Sequence, residues 1–445
     1  MKKILVVSYY YKHKNAMASV RAIKLAKYFS QQGHDVTVLT SNQRDTWTKN
    51  YLVPVPSENI TELYAPEVKR WTSIKNYLDH RKAAGQARIA AQSNKADSIA
   101  PSVPKTSPSM KAQLKAYLSW QFYFNIAKQE DICMFMGLKE EFIRQGCPHF
   151  DCVIATYPTF GAFLMGIWLR KHGYCNQLIA DFRDPLYNPG FRNRKQEADY
   201  DLKCLNNILN AADQVVCVSK GIADGIIQVA RGFNKPISVI TNGFDPDDVS
   251  GNTADISFDA QKIHFVYTGT LYHGKRCVDM LASVLKGLIE EEKIGADSFA
   301  FEYAGPDYQE LLSQLRTYGL ENTAVDHGFV SREESMAMQK SADALLLLTW
   351  NEKAYQGVVP GKLFEYMASG NVPIIALVTG DVVNSEVAQI VRESNTGCAC
   401  EAAAEKDASE LKQYVLSIFD RTLNFNSDAE KYNYKSICTE YLKIM

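Results

Sequence analysis

The sequence predicts an α/β protein of two Rossmann-like, doubly wound domains that face each other across a cleft. Three observations carry this reading. The chain has 445 residues, too many for one ordinary core. It opens strand, helix, strand within about 40 residues, the βαβ unit that seeds a parallel sheet. After a polar stretch, Pro246 to Gln261, a second α/β run begins.

Element by element, Ile4 to Ser8 is a continuous aliphatic run, as expected of a strand covered on both faces. Ser19 to Gln32 has helical periodicity, with Val20, Ile23, Leu25, Ala26 and Phe29 on a broad apolar face closed by Gly33. Asp35 to Thr40 is the second strand. Between 41 and 130 the pattern weakens. Lys69 to Arg88 is basic, with Trp71 and Tyr77 interspersed, and Ser93 to Met110 reads as a loop. Ala116 to Ile126 then gathers aromatic residues. Alternation resumes with strands at Cys152–Ala155, Leu178–Ala180, Gln214–Val218 and Ile237–Ile240, and helices at Phe160–His172 and Leu202–Ala212. The second run places strands at Ile263–Tyr267, Phe299–Tyr303, Ala344–Leu348 and Val372–Leu377. Ligands are expected in the cleft outside the carboxyl ends of both sheets.

Composition narrows the class. Hydrophobic residues at 46% and charged residues at 22% fit a folded cytoplasmic protein, and a net charge of −1 gives no overall pull toward nucleic acid. The 10 cysteines are scattered without a C-x-x-C pair, as expected of free thiols in a reducing compartment. The apolar run after Met1-Lys2-Lys3 is too short for a signal peptide, and no run reaches the roughly 18 apolar residues of a spanning helix.

Two C-terminal motifs carry chemistry. Tyr267-Thr268-Gly269-Thr270-Leu271 through Lys275-Arg276 follows a strand and precedes a helix. Glycines there let backbone approach a phosphate, and the helix N-terminus favours an anion. A solvated turn with two surface cations is the bland alternative. Gly357-Val358-Val359-Pro360-Gly361-Lys362-Leu363-Phe364-Glu365 is a loop running into a helix, with Glu365 about one turn in. A carboxylate there accepts hydrogen bonds from two ribose hydroxyls, or merely answers the helix dipole. In the first domain, Ala180-Asp181-Phe182-Arg183-Asp184-Pro185 ends a strand with two carboxylates flanking an arginine. These groups position or deprotonate an acceptor, or form a structural ion pair.

In this order the motifs resemble the family-4 retaining glycosyltransferases of GT-B fold, in a branch that builds bacterial polysaccharides. The family's G-[RT]-L-x-x-x-K segment is matched by Gly269, Thr270, Leu271 and Lys275, and its hinge segment by Thr241-Asn242-Gly243-Phe244-Asp245. Its nucleobase-edging element is matched by His327-Gly328-Phe329-Val330, and the second glutamate of its E-x7-E signature by Glu365. The resemblance implies a nucleoside-diphosphate sugar donor held by Gly269, Thr270, Lys275, Arg276, Phe329, Val358, Gly361, Lys362, Leu363 and Glu365. It also implies an acceptor served by Asp181, Arg183 and Asp184, with Ser19 and Arg21 in place of the usual paired glycines. There are departures. The first signature glutamate is Gly357 here, so donor-sugar contacts fall to backbone amides of 358–362, and the usual phosphate arginine is Thr270.

Asp245-Pro246-Asp247 formally matches D-x-D but reads as a turn, and the 8 histidines show no zinc-binding spacing, so neither metal nor cofactor is expected. The basic, aromatic segments Lys69–Arg88 and Lys111–Phe124 suggest contact with the inner leaflet of the plasma membrane, unless Trp120, Phe122 and Phe124 are core. The expected division is an acceptor domain over 1–245 and a donor domain over 246–424, with a helix in 425–445 packing back on the first. The expected activity is hexosyl transfer from a nucleotide sugar to a glycan or lipid-linked acceptor. The alternatives are a nucleotide-sugar 2-epimerase and a nucleotide-binding scaffold without transfer.

Overall fold

The computed structural model describes residues 1–12, 17–41, 59–66, 68, 110–187, 194–230, 232–250, 255–272, 274–353, 356–370 and 372–445. The first sheet has seven parallel strands in the order β3-β2-β1-β4-β5-β6-β7. They are β1 Lys3–Ser8, β2 Asp35–Ser41, β3 Ile60–Ala65, β4 Phe150–Tyr157, β5 Cys175–Phe182, β6 Gln214–Cys217 and β7 Ile237–Val239. The helices between them are α1 Met17–Gln31, α2 Met110–Arg144, α3 Phe160–Lys171, α4 Lys195–Ala211 and α5 Lys220–Val229, with a short α6 Asp247–Ser250 at the crossing. The second sheet has six parallel strands in the order β10-β9-β8-β11-β12-β13. They are β8 Ile263–Thr268, β9 Phe299–Ala304, β10 Ala324–Asp326, β11 Ala344–Trp350, β12 Ile374–Thr379 and β13 Gly397–Glu401. Its helices are α7 Asp279–Glu290, α8 Tyr308–Arg316, α9 Arg332–Lys340, α10 Gly361–Ala368, α11 Glu386–Glu393 and α12 Asp407–Phe419, and α13 Tyr434–Ile444 ends the chain.

The continuous aliphatic strands are explained by two covered faces. In β1, Ile4 and Val6 join Ala22, Ile23 and Ala26 of α1, while Leu5 and Val7 join Leu138 of α2 and Phe163 of α3. Each such buried aliphatic side chain contributes about 1.5–3 kcal/mol, and only helices on both sides secure that on every residue. Strand order reverses beside β1, which pairs with β2 and β4, and beside β8, which pairs with β9 and β11. Those two switch points open crevices at the strands' carboxyl ends.

Local signals fix several helix starts. Ser219 caps α5 by accepting from Ile222, and Ser331 with Glu334 forms a capping box on α9. The chain crosses between sheets through Asn242–Asp245 and returns near Tyr432–Tyr434, where the two passes hydrogen-bond (Phe244 N to Tyr432 O 3.0 Å, Tyr434 N to Phe244 O 2.9 Å). Gly243 is needed at this crossing, because a Cβ would stand 2.3 Å from the Tyr432 carbonyl oxygen. Helix α13 then packs on α1, with Tyr441 edge-on to Phe29 at 6.1 Å.

The structure differs from the sequence reading in four places. Strands β3, β10 and β13 were not expected; β10 has only three residues, and β13 is rich in small residues and cysteine. Helix α2 runs unbroken for 35 residues where only an aromatic cluster was legible. That cluster divides. Trp120 and Phe124 are partly buried and stacked at 5.5 Å, with Phe124 edge-on to Tyr200 of α4, whereas Phe122 is exposed. The basic segment Lys69–Arg88, and the expected loop except for Met110, lie outside the described residues. All ten cysteines are free, and among the described residues no helix is long and apolar enough to cross a membrane.

Candidate active site

Between the two sheets lies a cavity of about 480 Å³. One wall is Ala18, Val20, Arg21, Arg183, Asp184, Pro185, Val218, Ile222, Asn242 and Gly243, and the other is Tyr272, Arg276 and the loop Gln356–Lys362, with Tyr434 from α13. Among the described lining residues four are cationic (Arg21, Arg183, Arg276, Lys362), against the one carboxylate of Asp184.

On the second-domain side, the turn after β8 is braced from β9. Tyr303 Oη donates to the Gly269 carbonyl at 2.9 Å, and Leu271 N donates to Asp307 at 2.7 Å. Arg276 donates to the Thr270 carbonyl at 3.1 Å and lies over the Tyr272 ring at 4.4 Å, which fixes its guanidinium plane at the cavity. Its Nε is buried without an acceptor among the described residues. Lys275 takes another direction, toward Glu352 at 3.2 Å, and does not line the cavity.

Helix α10 starts at Gly361, so Lys362 stands in its first turn at the cavity edge. Its ammonium donates to Thr268 Oγ1 at 2.9 Å and to Glu365 at 3.2 Å. Gln339 of α9, fully buried, donates to the same Glu365 oxygen at 2.8 Å and to Thr268 Oγ1 at 3.2 Å. Burial alone pushes the Glu365 pKa up, but the Lys362 charge, the Gln339 hydrogen bond and Arg332 outweigh it and hold the carboxyl below its usual range. Glu365 borders a second, smaller cavity of about 30 Å³ that shares Val20, Gly243 and Gly361 with the large one.

On the first-domain side, Arg183 donates from Nε to the Tyr157 carbonyl at 3.1 Å, with further bonds to the carbonyls of Ala18 and Pro158. It forms no ion pair among the described residues, and burial lowers its pKa against the pull of Asp181 and Asp184. A cation held by carbonyls and the Tyr10 ring, with no carboxylate partner among the described residues, is suited to an anionic ligand at a cavity wall. Asp184 is open to the cavity, and the enclosing walls push its pKa up against the pull of Arg183.

No protein-family model matches the chain, and no curated protein matches it in sequence. Solved structures do match over its whole length. Sucrose-phosphate synthase from Thermosynechococcus elongatus superposes with a TM-score of 0.55 at 13% identity, covering 100% of this chain and 98% of that one. The UDP-forming α,α-trehalose-phosphate synthase from Burkholderia vietnamiensis gives 0.56 at 11% identity, over 100% and 99%. S. aureus TarM, in a complex with fondaparinux, α-GlcNAc-glycerol and UDP, gives 0.53 at 11% identity, over 100% and 99%.

The fold is GT-B.

Within this GT-B cleft, the expected site residues separate into two groups. Arg183, Asp184, Arg276, Val358, Gly361 and Lys362 meet at the large cavity, with Arg21 at its border. Asp181 is corrected as a cleft carboxylate. It is fully buried, held by Arg21 through two 3.0 Å bonds and by Tyr441 Oη at 2.8 Å, and the structural ion pair is the arrangement found. Ser19 is likewise fully buried and absent from the cavity wall. Leu363 is core, leaving only its backbone to a ligand, and Phe329 is 87% exposed and lines neither cavity. Gly269 and Thr270 brace the turn from behind.

Gly357, where the signature glutamate was missing, has a structural reason. Its φ is +77°, and a Cβ would stand 2.7 Å from Gly221 Cα and 2.9 Å from Ser219 Oγ across the cleft. The two domains touch there through glycine backbone. Gln339, Thr268 and Gly221 were not legible as site residues. Gln339 lies 26 residues before Glu365, and nothing local marks it. Asp245 and Asp247, the formal D-x-D, are engaged by Lys24 and Lys27.

Proposed function

We propose that this chain is a retaining glycosyltransferase that moves a hexosyl residue from a nucleoside-diphosphate sugar to a glycan or lipid-linked acceptor, in surface polysaccharide or glycolipid assembly at the cytoplasmic face of the membrane. The observation that carries it is the large cavity at both switch points, lined by cations from both domains and one carboxylate. Such a site fits a diphosphate and a hydroxylic acceptor better than a neutral metabolite. The solved structures of this fold support it, one being UDP-forming and another holding UDP.

In this reading the bond from the anomeric carbon to the diphosphate oxygen breaks, and a bond to the acceptor hydroxyl oxygen forms. The hydroxyl proton leaves toward Asp184 or the departing phosphate. Of the three cations expected to stabilise the charge on the leaving group, Arg276 and Lys362 line the cavity and take that role, while Lys275 pairs with Glu352. Glu365, held ionised, accepts hydrogen bonds from the ribose. Arg183 and Asp184 orient the acceptor. Retention of configuration rests on the sequence resemblance. The domain division near residue 245 is part of the proposal, with the donor on the second domain.

The test is thermal stabilisation by a panel of nucleoside diphosphates, with and without magnesium, in wild type and Glu365→Ala. A ligand at a hundred times its Kd adds about 2.7 kcal/mol of stability. The expected outcome is a clear upward shift with UDP or GDP, independent of magnesium and lost in the variant. No shift with any nucleotide sinks the donor site. Gly357 also keeps a second reading in view, a nucleotide-binding protein without transfer. Turnover of donor sugar to free nucleotide separates the two.

A further inference from the structure

The two arginines on the first-domain wall of the large cavity differ in what they leave for a ligand. A guanidinium has five N–H donors. Arg21 commits all of its donors within the protein. Nε and Nη2 serve Asp181, Nη1 serves the Thr241 carbonyl and Asn242 Oδ1, and Nη2 also reaches the Ile240 carbonyl and Tyr441 Oη. Arg183 gives Nε to the Tyr157 carbonyl at 3.1 Å, one Nη1 hydrogen to the Ala18 carbonyl and one Nη2 hydrogen to the Pro158 carbonyl at 3.4 Å. One N–H on each η nitrogen is left, and the Tyr10 ring lies 5.9 Å from the guanidinium. The flanking segments outside the described residues, 13–16 and 188–193, contain no Asp or Glu to neutralise this charge. The fork is thus held in place by three carbonyls with two donors over.

On the opposite wall, Arg276 directs Nη1 to Thr270 and Tyr267, which leaves Nε and Nη2, and Lys362 uses two of its ammonium donors on Thr268 and Glu365. The uncommitted donors therefore form two groups, one on each domain, and each group suits one oxyanion. In the reading proposed above, the second-domain group answers the donor diphosphate. We infer that Arg183 seats a second oxyanion, so that the acceptor itself carries a phosphate or a carboxylate near the hydroxyl that reacts. Asp184, the next residue, lines the same cavity, which brings the proton acceptor and the anion seat to one ligand. A neutral glycan would leave the guanidinium of Arg183 unanswered. The assignment of this anion to the acceptor rests on the transfer reading; the anion seat itself does not.

The test is calorimetric titration of the full chain with inorganic phosphate and with acetate, at constant ionic strength and with UDP saturating the second-domain cations. The expected result is binding of at least one of the two anions at one site per chain, at least about tenfold weaker in Arg183→Leu. Arg183→Lys should fall between, because an ammonium keeps the charge and loses the fork. The tighter anion identifies the acidic group of the acceptor. Both variants should keep the UDP-induced rise in Tm, which shows that they fold; if Arg183→Leu does not fold, Arg183→Lys carries the comparison. Equal affinity in wild type and Arg183→Leu overturns the inference, and so does a wild type that binds neither anion. A wild type without a UDP shift defeats the donor site instead, and the Arg183 comparison is then made without UDP.

Discussion

The carboxylate of Glu365 accepts from two donors of different character, the Lys362 ammonium and the Gln339 amide, and the same two donors also reach Thr268 Oγ1. This shared pair fixes the carboxylate plane before any ligand arrives. Replacing Gln339 by Leu leaves Glu365 with one donor fewer, and its pKa should rise toward the ordinary range. The expected outcome is nucleotide affinity about tenfold weaker, corresponding to about 1.4 kcal/mol, with partial rescue by Gln339→Asn. Calorimetric titration checks it; unchanged affinity in Gln339→Leu would remove Gln339 from the site. Asp184 supplies a second prediction. Its carboxyl is raised, so the ionised form needed to take a proton is lost on acidification at a higher pH than for an ordinary aspartate. The pH profile of kcat should show an acid limb that Asp184→Asn abolishes, with kcat down about 10²-fold and nucleotide stabilisation unchanged. A limb that survives the substitution assigns the titration elsewhere. The Arg21–Asp181 pair behaves differently, because both partners are buried. Asp181→Asn leaves an unpaired guanidinium and should cost about 3–5 kcal/mol of stability by chemical denaturation. A change under 1 kcal/mol, on the order of a surface pair, would contradict the buried-pair assignment.

At the scale of elements, the parts legible in the sequence are those whose signal is local and repeated. Ile4–Ser8 reads as a buried strand because every residue is aliphatic or small, and α1 reads as a helix because its apolar residues recur on one face. The turn after β8 and the loop entering α10 were legible because glycine, proline and lysine concentrate there. Helix α2 was not, because its first half has apolar side chains around much of its circumference. Trp120 and Phe124 pack inward on α4 while Leu114 and Leu118 face out, which blurs the helical period. Asp181 was misplaced for a related reason. A carboxylate at a strand's carboxyl end usually faces the crevice, and only a partner from α1, 160 positions earlier in the chain, turns this one into core. Sequence distance of that size carries no readable signal in a single chain. The same holds for Gln339 and for the contact between Gly221 and Gly357.

At the scale of the whole molecule, two contacts govern how the domains stand together. The first is ionic. Asp245 at the crossing accepts from Lys24 and Lys27 of α1, each at 2.7 Å, and from Tyr28 at 2.8 Å. Burial raises its pKa, but the two lysines and the tyrosine prevail and bring it from 3.8 down to about 2. A depressed folded-state pKa contributes stability that is full above the unfolded value near 4 and is lost as pH falls through about 2. At about 1.36 kcal/mol per unit this amounts to roughly 2 kcal/mol, read as the part of acid destabilisation that disappears in Asp245→Asn. That variant should itself be destabilised at neutral pH by about 1–3 kcal/mol, since Lys24 and Lys27 lose one buried carboxylate but keep Asp248 and Asp247.

The second contact is across the cleft. Glu386 of α11 accepts from the backbone N–H groups of Lys220 (2.7 Å) and Gly221 (2.6 Å), so a carboxylate of one domain seats on the first turn of α5 in the other. Beside it, Gly357 meets Gly221 with no room for a side chain on either. Together they hold the cleft closed over the cavity. Replacing Gly357 by Glu, which supplies the missing signature glutamate, should therefore impair the protein. The new side chain props the domains apart, and a displacement of about 1 Å between Asp184 and Lys362 is enough to cost on the order of 10²-fold in kcat. Nucleotide stabilisation should persist, because Arg276, Lys362 and Glu365 all belong to the second domain. Scattering should report a larger radius of gyration than wild type in the presence of UDP. Wild-type turnover in Gly357→Glu, or an unchanged radius, would show that closure through the glycine pair is not the state in which the cavity works.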